Sequence, residues 1–237
     1  MSTVYLLTLR QLTSKWRLAI MTVLAALPAI IALVMLAQRE APTVQVFETV
    51  VLGAMLAGSI APLVVLAIAA PAFANELEDR TLANLTLAPL PRWHIVVPKL
   101  MAVLTMAAPF VVASALVTSW VAYLGDARAV MAVTVGSLAG VALYASAFVL
   151  LGLVSTQAIG IGLLYVVVWE GFFSGFVAGA RLLSIRYTSV ALMHALDARR
   201  FAWADNPNAS AVVVVTLFVF GGFVWLAVRR LRRMDVP

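Results

Sequence analysis

Cysteine is absent from the 237 residues, which removes disulfides, thiolate metal sites and a thiol nucleophile in one step. Charge is scarce as well: Asp, Glu, Lys and Arg make up 11% of the chain, against about a quarter in soluble domains of ordinary composition. The two histidines, His94 and His194, lie outside the long apolar runs and fall on opposite sides of them. A His-His metal pair is thereby excluded, and an intramembrane Ser-His dyad has no base. No aspartate falls within an apolar run, so a paired-aspartate protease is unsupported. A Gly-x-x-x-x-Gly-Lys-Ser/Thr phosphate loop is missing too, since Lys15 and Lys99, the only lysines, lack the preceding glycines. The sequence therefore reads as a chain without catalytic residues, bound metal or cofactor of its own.

What it has in excess is apolar surface. Hydrophobic residues make up 64% of the chain, and the mean hydropathy is +1.07. A soluble core of this size could not bury so much, so the solvent is lipid. A helix needs roughly 20 apolar residues to cross the hydrocarbon. Six runs meet that length, at about Leu18–Ala37, Val50–Ala74, Leu100–Leu124, Ala129–Val154, Ile159–Ala180 and Ser210–Val228. The expected fold is all-α: one transmembrane domain over 1–237 with six spans. Pro28, Pro62 and Pro109 lie inside the runs, where neighbouring helices can satisfy the freed backbone groups. Glu170 is the single residue within them that is charged at neutral pH.

The net charge of +6 is carried beside the apolar runs, where basic side chains meet lipid headgroups rather than nucleic acid. An even number of spans puts both ends on one side. With those ends in the cytoplasm, ten of the sixteen basic residues are internal, including the tail Arg229-Arg230-Leu231-Arg232-Arg233. The expected location is a cell membrane, plasma or inner, crossed several times. The first run is too long for a signal-peptide core, and Gln38-Arg39-Glu40 is a poor cleavage site. Before it, Tyr5, Leu9, Leu12 and Trp16 recur at helical spacing, with Arg10, Ser14 and Arg17 on another face. Residues 1–17 thus read as an amphipathic helix on the inner surface, or as an extension of the first span.

The loop between the second and third runs is more than a connector. Over 75–96 it presents a charged turn, Glu76-Leu77-Glu78-Asp79-Arg80, then a short helix with Leu82 and Leu85 on one face, then a stop at Pro89 and Pro91. Arg92, Trp93 and Lys99 follow at the level expected of headgroup anchors.

This loop resembles that of the permeases of type 2 ABC exporters. Their first cytoplasmic loop carries a Glu-x-Glu-x-Arg/Gly-Thr-Leu run, then leucines, a proline and a basic residue. Glu76, Glu78, Arg80, Thr81, Leu82, Leu85, Pro89 and Arg92 match it. The similarity extends to the six-span layout, the N-terminal interfacial helix and the runs Leu164–Glu170 and Leu183–Tyr187. The resemblance implies that residues 76–92 form a coupling helix docking on a separate ATP-binding cassette ATPase, which would bind the ATP and Mg. It also implies a second permease copy, identical or a sister chain, and a path between the two halves. A lever fixed to a membrane helix is what a transporter with a detached motor needs on physical grounds.

An ionised side chain at the depth of Glu170 is costly and ordinarily faces a cavity or a partner. Three roles stand open for it: a contact in the translocation path, a protonatable site in a proton-coupled carrier, or a structural hydrogen bond. Gly171, Gly175 and Gly179 repeat every fourth residue after it, as do Gly136 and Gly140 in the preceding run. Such spacing allows close helix approach, within one subunit or between two. The external segment 181–209 mixes apolar residues with Arg and Asp, which predicts interfacial or re-entrant helices, and in the family such helices cap the outer mouth. The alternative class is a secondary carrier or channel using Glu170. Internal repeats and several midplane polar residues, frequent in carriers, are not evident.

Overall fold

The computed structural model describes residues 2–38, 43–78, 91–174, 184–201 and 208–234, all helical or connecting, with no strand among them. Eight helices are present in the described residues: α1 (Ser2–Leu12), α2 (Lys15–Leu36), α3 (Val44–Glu78), α4 (Trp93–Ala122), α5 (Ala127–Val154), α6 (Ala158–Phe173), α7 (Ile185–Leu196) and α8 (Ala209–Arg233). Five of them, α2, α3, α4, α5 and α8, are long and apolar enough to cross a membrane. In the fifth apolar run the described helix, α6, reaches Phe173, short of that length, and residues 175–180 lie outside the described residues.

α5 is the centre of the bundle, with α3, α4, α7 and α8 packed on it, while α2 lies along α4. α3 and α5 are the most enclosed helices, and α2 and α8 the least. Lipid tails are as apolar as leucine, so these helices associate by close packing rather than by leaving water. Small residues provide it. Gly152 on α5 sits so close to the Ala70 carbonyl of α3 that a methyl group would not fit. Gly162 on α6 receives the Leu66 side chain in the same way. Around these joints Val64, Val65 and Phe73 of α3 and Tyr144 and Phe148 of α5 fill the core, with the last two rings stacked 5.8 Å apart.

α3 departs from regular geometry twice. Its turns are wide over Glu48–Ile60, with backbone bonds closing over five residues, and the Ser59 hydroxyl likewise reaches back five residues to the Ala54 carbonyl at 3.1 Å. It then breaks at Ala70, because Pro71 has no N–H to continue the ladder. The helix also outlasts its apolar run at both ends and takes Glu48 and Glu76 into the bundle, 5% and 9% exposed. At roughly 1.5 Å per residue these two carboxylates stand about 40 Å apart, more than the hydrocarbon thickness of about 30 Å. They mark opposite ends of the molecule.

The N-terminal segment also differs from expectation. α1 stops at Leu12 and a new helix begins at Lys15, so Trp16 belongs to α2, where it is exposed. Thr8 and Leu12 are buried, and the Tyr5 hydroxyl donates to Thr105 Oγ1 at 3.1 Å, which pins α1 along α4.

Candidate functional site

The base of the loop is built by the last turns of α3 and the first of α4. Glu76 and Glu78 are two residues apart, so a helix turns them to different sides. Glu76 points inward and is buried, whereas Glu78 is exposed. Facing Glu76 is Lys99, which the sequence placed at headgroup level and the structure buries, 1% exposed. Its Nζ lies 2.5 Å from Glu76 Oε2 and donates to the Ala72 carbonyl at 2.6 Å. The ammonium also stands 4.2 Å from the centre of the Phe73 ring. Arg92 is half-buried at the cap of α4, and Trp93 stacks on His94 with ring centres 4.0 Å apart. Arg80, Thr81, Leu82, Leu85 and Pro89 lie outside the described residues.

Glu170 is fully buried in α6, and its carboxylate is saturated by its own chain. Oε1 accepts the Tyr165 hydroxyl at 2.8 Å and the Ile185 N–H at 2.9 Å. Oε2 accepts the Ser184 hydroxyl at 2.5 Å. Ser184 is the cap of α7 and accepts the Tyr187 N–H at 3.2 Å, so Glu170 sits at the positive end of that helix. The arrangement anchors α7 beside α6. Arg186 extends the polar cluster: its Nη1 donates to the Glu170 carbonyl at 3.4 Å, and its stem occupies the space a side chain at Gly58 would need.

From Glu170, α7 runs through the interior toward the Glu48 end, with Val190 and Met193 fully buried. It is held there by glycines. A methyl group on Gly136 would strike Met193 Cγ and the Ser189 carbonyl, and one on Gly140 the Ser189 hydroxyl. These two glycines are therefore occupied by α7 of the same chain. Gly171 differs, since the nearest atom to a Cβ there is the Val166 carbonyl at 3.6 Å. Gly175 and Gly179 lie outside the described residues.

The Glu48 end carries a charged cluster that sequence reasoning missed. Glu48 accepts the Tyr123 hydroxyl at 3.2 Å and the Phe201 N–H at 3.0 Å. Arg200 lies 3.7 Å from Glu48, 3.5 Å from Asp126 and 3.7 Å from Asp197, with its guanidinium 4.0 Å over the Tyr123 ring. One side chain thus joins the start of α3, the α4–α5 turn and the end of α7. The cluster borders a cavity of about 610 Å³, to which Arg128 and Arg199 also contribute. Burial first, and then the negative charge of Glu48, push the Tyr123 hydroxyl well above its ordinary pKa. Asp126 is held below the carboxylate range, chiefly by the Ala129 N–H it caps. The sequence signal was slight: each of these residues merely flanks an apolar run.

A helical bundle with five membrane-length apolar helices and, among the described residues, charge confined to its ends and a few buried clusters is a multi-pass membrane protein. Residues 9–188 match the family described as ABC-2 family transporter protein. The match covers more than half of the chain, which therefore belongs to that family and is a permease subunit of an ABC transporter, in a family whose permeases work with a partner ATPase. A comparison with curated proteins finds no match.

Proposed function

We propose that this chain is the membrane half of an ATP-driven exporter, coupled to its motor through residues 76–92 and paired with a second permease copy, identical or a sister chain. ATP and Mg are held by the partner ATPase. The observation that carries the reading is the base of that loop: α3 and α4 enter it tied by a buried ion pair, Lys99 to Glu76, while Glu78 stays exposed. A free connector has no use for such a joint. A lever does.

In this reading both ends of the chain are cytoplasmic and the Glu48 cluster faces outward, in a cell membrane. Six crossings are made, the fifth split between α6 and α7, with the break beside Glu170. Discontinuous helices of this kind recur in transport proteins where backbone lines a cavity. α1 lies along the inner surface among lipid headgroups. Of the three roles open to Glu170, the structural one fits best. A carboxylate whose two oxygens already accept three donors is poorly placed to exchange a proton or bind cargo, which weighs against a secondary carrier.

The test is co-purification from cells that express the chain together with an ATP-binding cassette subunit. The expected result is a complex that is lost on combined Leu82→Asp and Leu85→Asp substitution, with Arg80→Ala weakening it. A double variant that still captures the motor and still supports transport would overturn the assignment.

A further inference from the structure

We propose that Lys99 is a positioning residue that welds the inner ends of α3 and α4 into one lever, so that displacement of the 76–92 loop moves both helices together. The inference rests on the coupling role given to that loop above and assigns Glu76 to an internal joint rather than to the motor's surface.

Pro71 interrupts the backbone ladder, so the inner piece Pro71–Glu78 is attached to the rest of α3 by a joint that can bend. A push on the loop would be spent on swinging that piece unless something braced it. Lys99 is the brace. It reaches from α4 to three points on the inner piece: the Glu76 carboxylate, the Ala72 carbonyl and the Phe73 ring. Three contacts from one ammonium fix the piece in position and in rotation. Pro98, also buried, has no N–H to offer the His94 carbonyl one turn earlier in α4. Phe73 on α3 and Ile95, Val96 and Leu100 on α4 are buried in the apolar core at this end of the two helices.

Stability alone is a weak reason for such a pair. Replacing a buried ion pair by apolar residues of similar volume is often neutral or stabilising, because the charges no longer have to be desolvated. Apolar contacts are non-directional, however, and let surfaces slide. A directional bond at the point where force enters does what a leucine–methionine contact cannot.

That difference supplies the experiment. Spin labels are placed on Leu124→Cys, in the turn just past the far end of α4, and Val213→Cys, on α8, both exposed in a chain otherwise free of cysteine. The complex with the co-expressed ATPase is trapped with ATP and vanadate, and the label separation is measured with and without trapping. In the otherwise unmodified chain trapping shifts the separation. In the Glu76→Leu/Lys99→Met double variant the motor is still captured and ATP still hydrolysed, and the shift is lost. The Lys99→Arg variant keeps a cation able to reach the Glu76 carboxylate, the Ala72 carbonyl and the Phe73 ring, and it retains at least half of the shift. A purely structural pair would leave the shift intact in the folded double variant, which overturns the proposal. So would a folded Lys99→Arg variant that captures the motor and shows no shift. Should the unmodified chain capture no ATPase, the coupling reading itself fails and the lever falls with it, an outcome visible before any label is read.

Discussion

The Glu170 carboxylate accepts the Ile185 N–H at 2.9 Å, which makes a side chain of α6 the anchor for the first turn of α7. Ser184 shares the task, donating to Glu170 and accepting from Tyr187. Glu170→Gln preserves shape but puts an NH2 where an acceptor stood. If it replaces Oε1, the Ile185 N–H is left facing a donor; if it replaces Oε2, the Ser184 hydroxyl must turn to accept and loses the acceptor for its own proton. The cost of one buried unsatisfied group is about 1–3 kcal/mol, and the loss of charge at the helix N-terminus adds about 0.3–1 kcal/mol. A lowered unfolding midpoint in detergent, with Tyr165→Phe affected less, is the expected result. An unchanged midpoint would sink this account of the carboxylate.

The glycines make a sharper contrast. Gly136→Ala must displace Met193 or the Ser189 carbonyl, and backbone cannot yield as a side-chain tip does. Overpacking of this kind costs about 1–3 kcal/mol. Gly221→Ala meets nothing within 4 Å and serves as the control. Thermal unfolding should separate the two variants clearly. Equal midpoints would mean that α7 does not lie against α5 as described.

Much of this architecture was legible in the sequence, and what escaped did so for physical reasons. Length and hydropathy locate the long helices because lipid admits few alternatives. The same measure ends each run at its first charge, which is why Glu48, Glu76 and Lys99 were left outside helices that in fact contain them. Hydropathy cannot tell a charge that caps a span from one that pairs with its opposite on a neighbouring helix. Lys99 and Glu76 are separated by 23 positions, and only the fold shows that they meet. Gly136 and Gly140 were visible as a packing face, but not that α7 fills it. That Glu170 of α6 caps the first turn of α7 was hidden too, because the Ile185 N–H it binds lies 15 positions away.

At the Glu48 end, Asp126 gives a pH dependence of known sign. Its folded pKa lies below the ordinary 3.8 because the Ala129 and Arg128 N–H groups favour the carboxylate. Its contribution is therefore complete above pH 3.8 and is lost as pH falls through the folded value. Asp126→Asn can still cap α5 but does not titrate. Acid unfolding curves should show a steeper decline below pH 3.8 for the unmodified chain than for the variant. Parallel curves would show that the cap adds no protonation-linked stability.

Tyr123 dictates the opposite limb. It follows the last residue of α4, buried between Glu48 and the Arg200 guanidinium. Its proton is held more tightly in the folded chain than in the unfolded one, where release begins near pH 10.0. Above that pH the unfolded state sheds the proton and the folded state keeps it, so stability falls as pH rises, by up to about 1.4 kcal/mol per unit. Arg200 works against this, since its positive charge favours the phenolate. Tyr123→Phe removes the titration and should flatten the alkaline limb, at the cost of a hydrogen bond to Glu48 that lowers stability at neutral pH by about 1 kcal/mol. Arg200→Ala should leave that slope unchanged, since one tyrosine already supplies its full single proton, and should lower stability at neutral pH by stranding Glu48 and Asp197 without their shared cation. Only Tyr123→Phe should flatten the curve. An identical alkaline slope in Tyr123→Phe and the unmodified chain would place the Tyr123 hydroxyl in water rather than in the cluster.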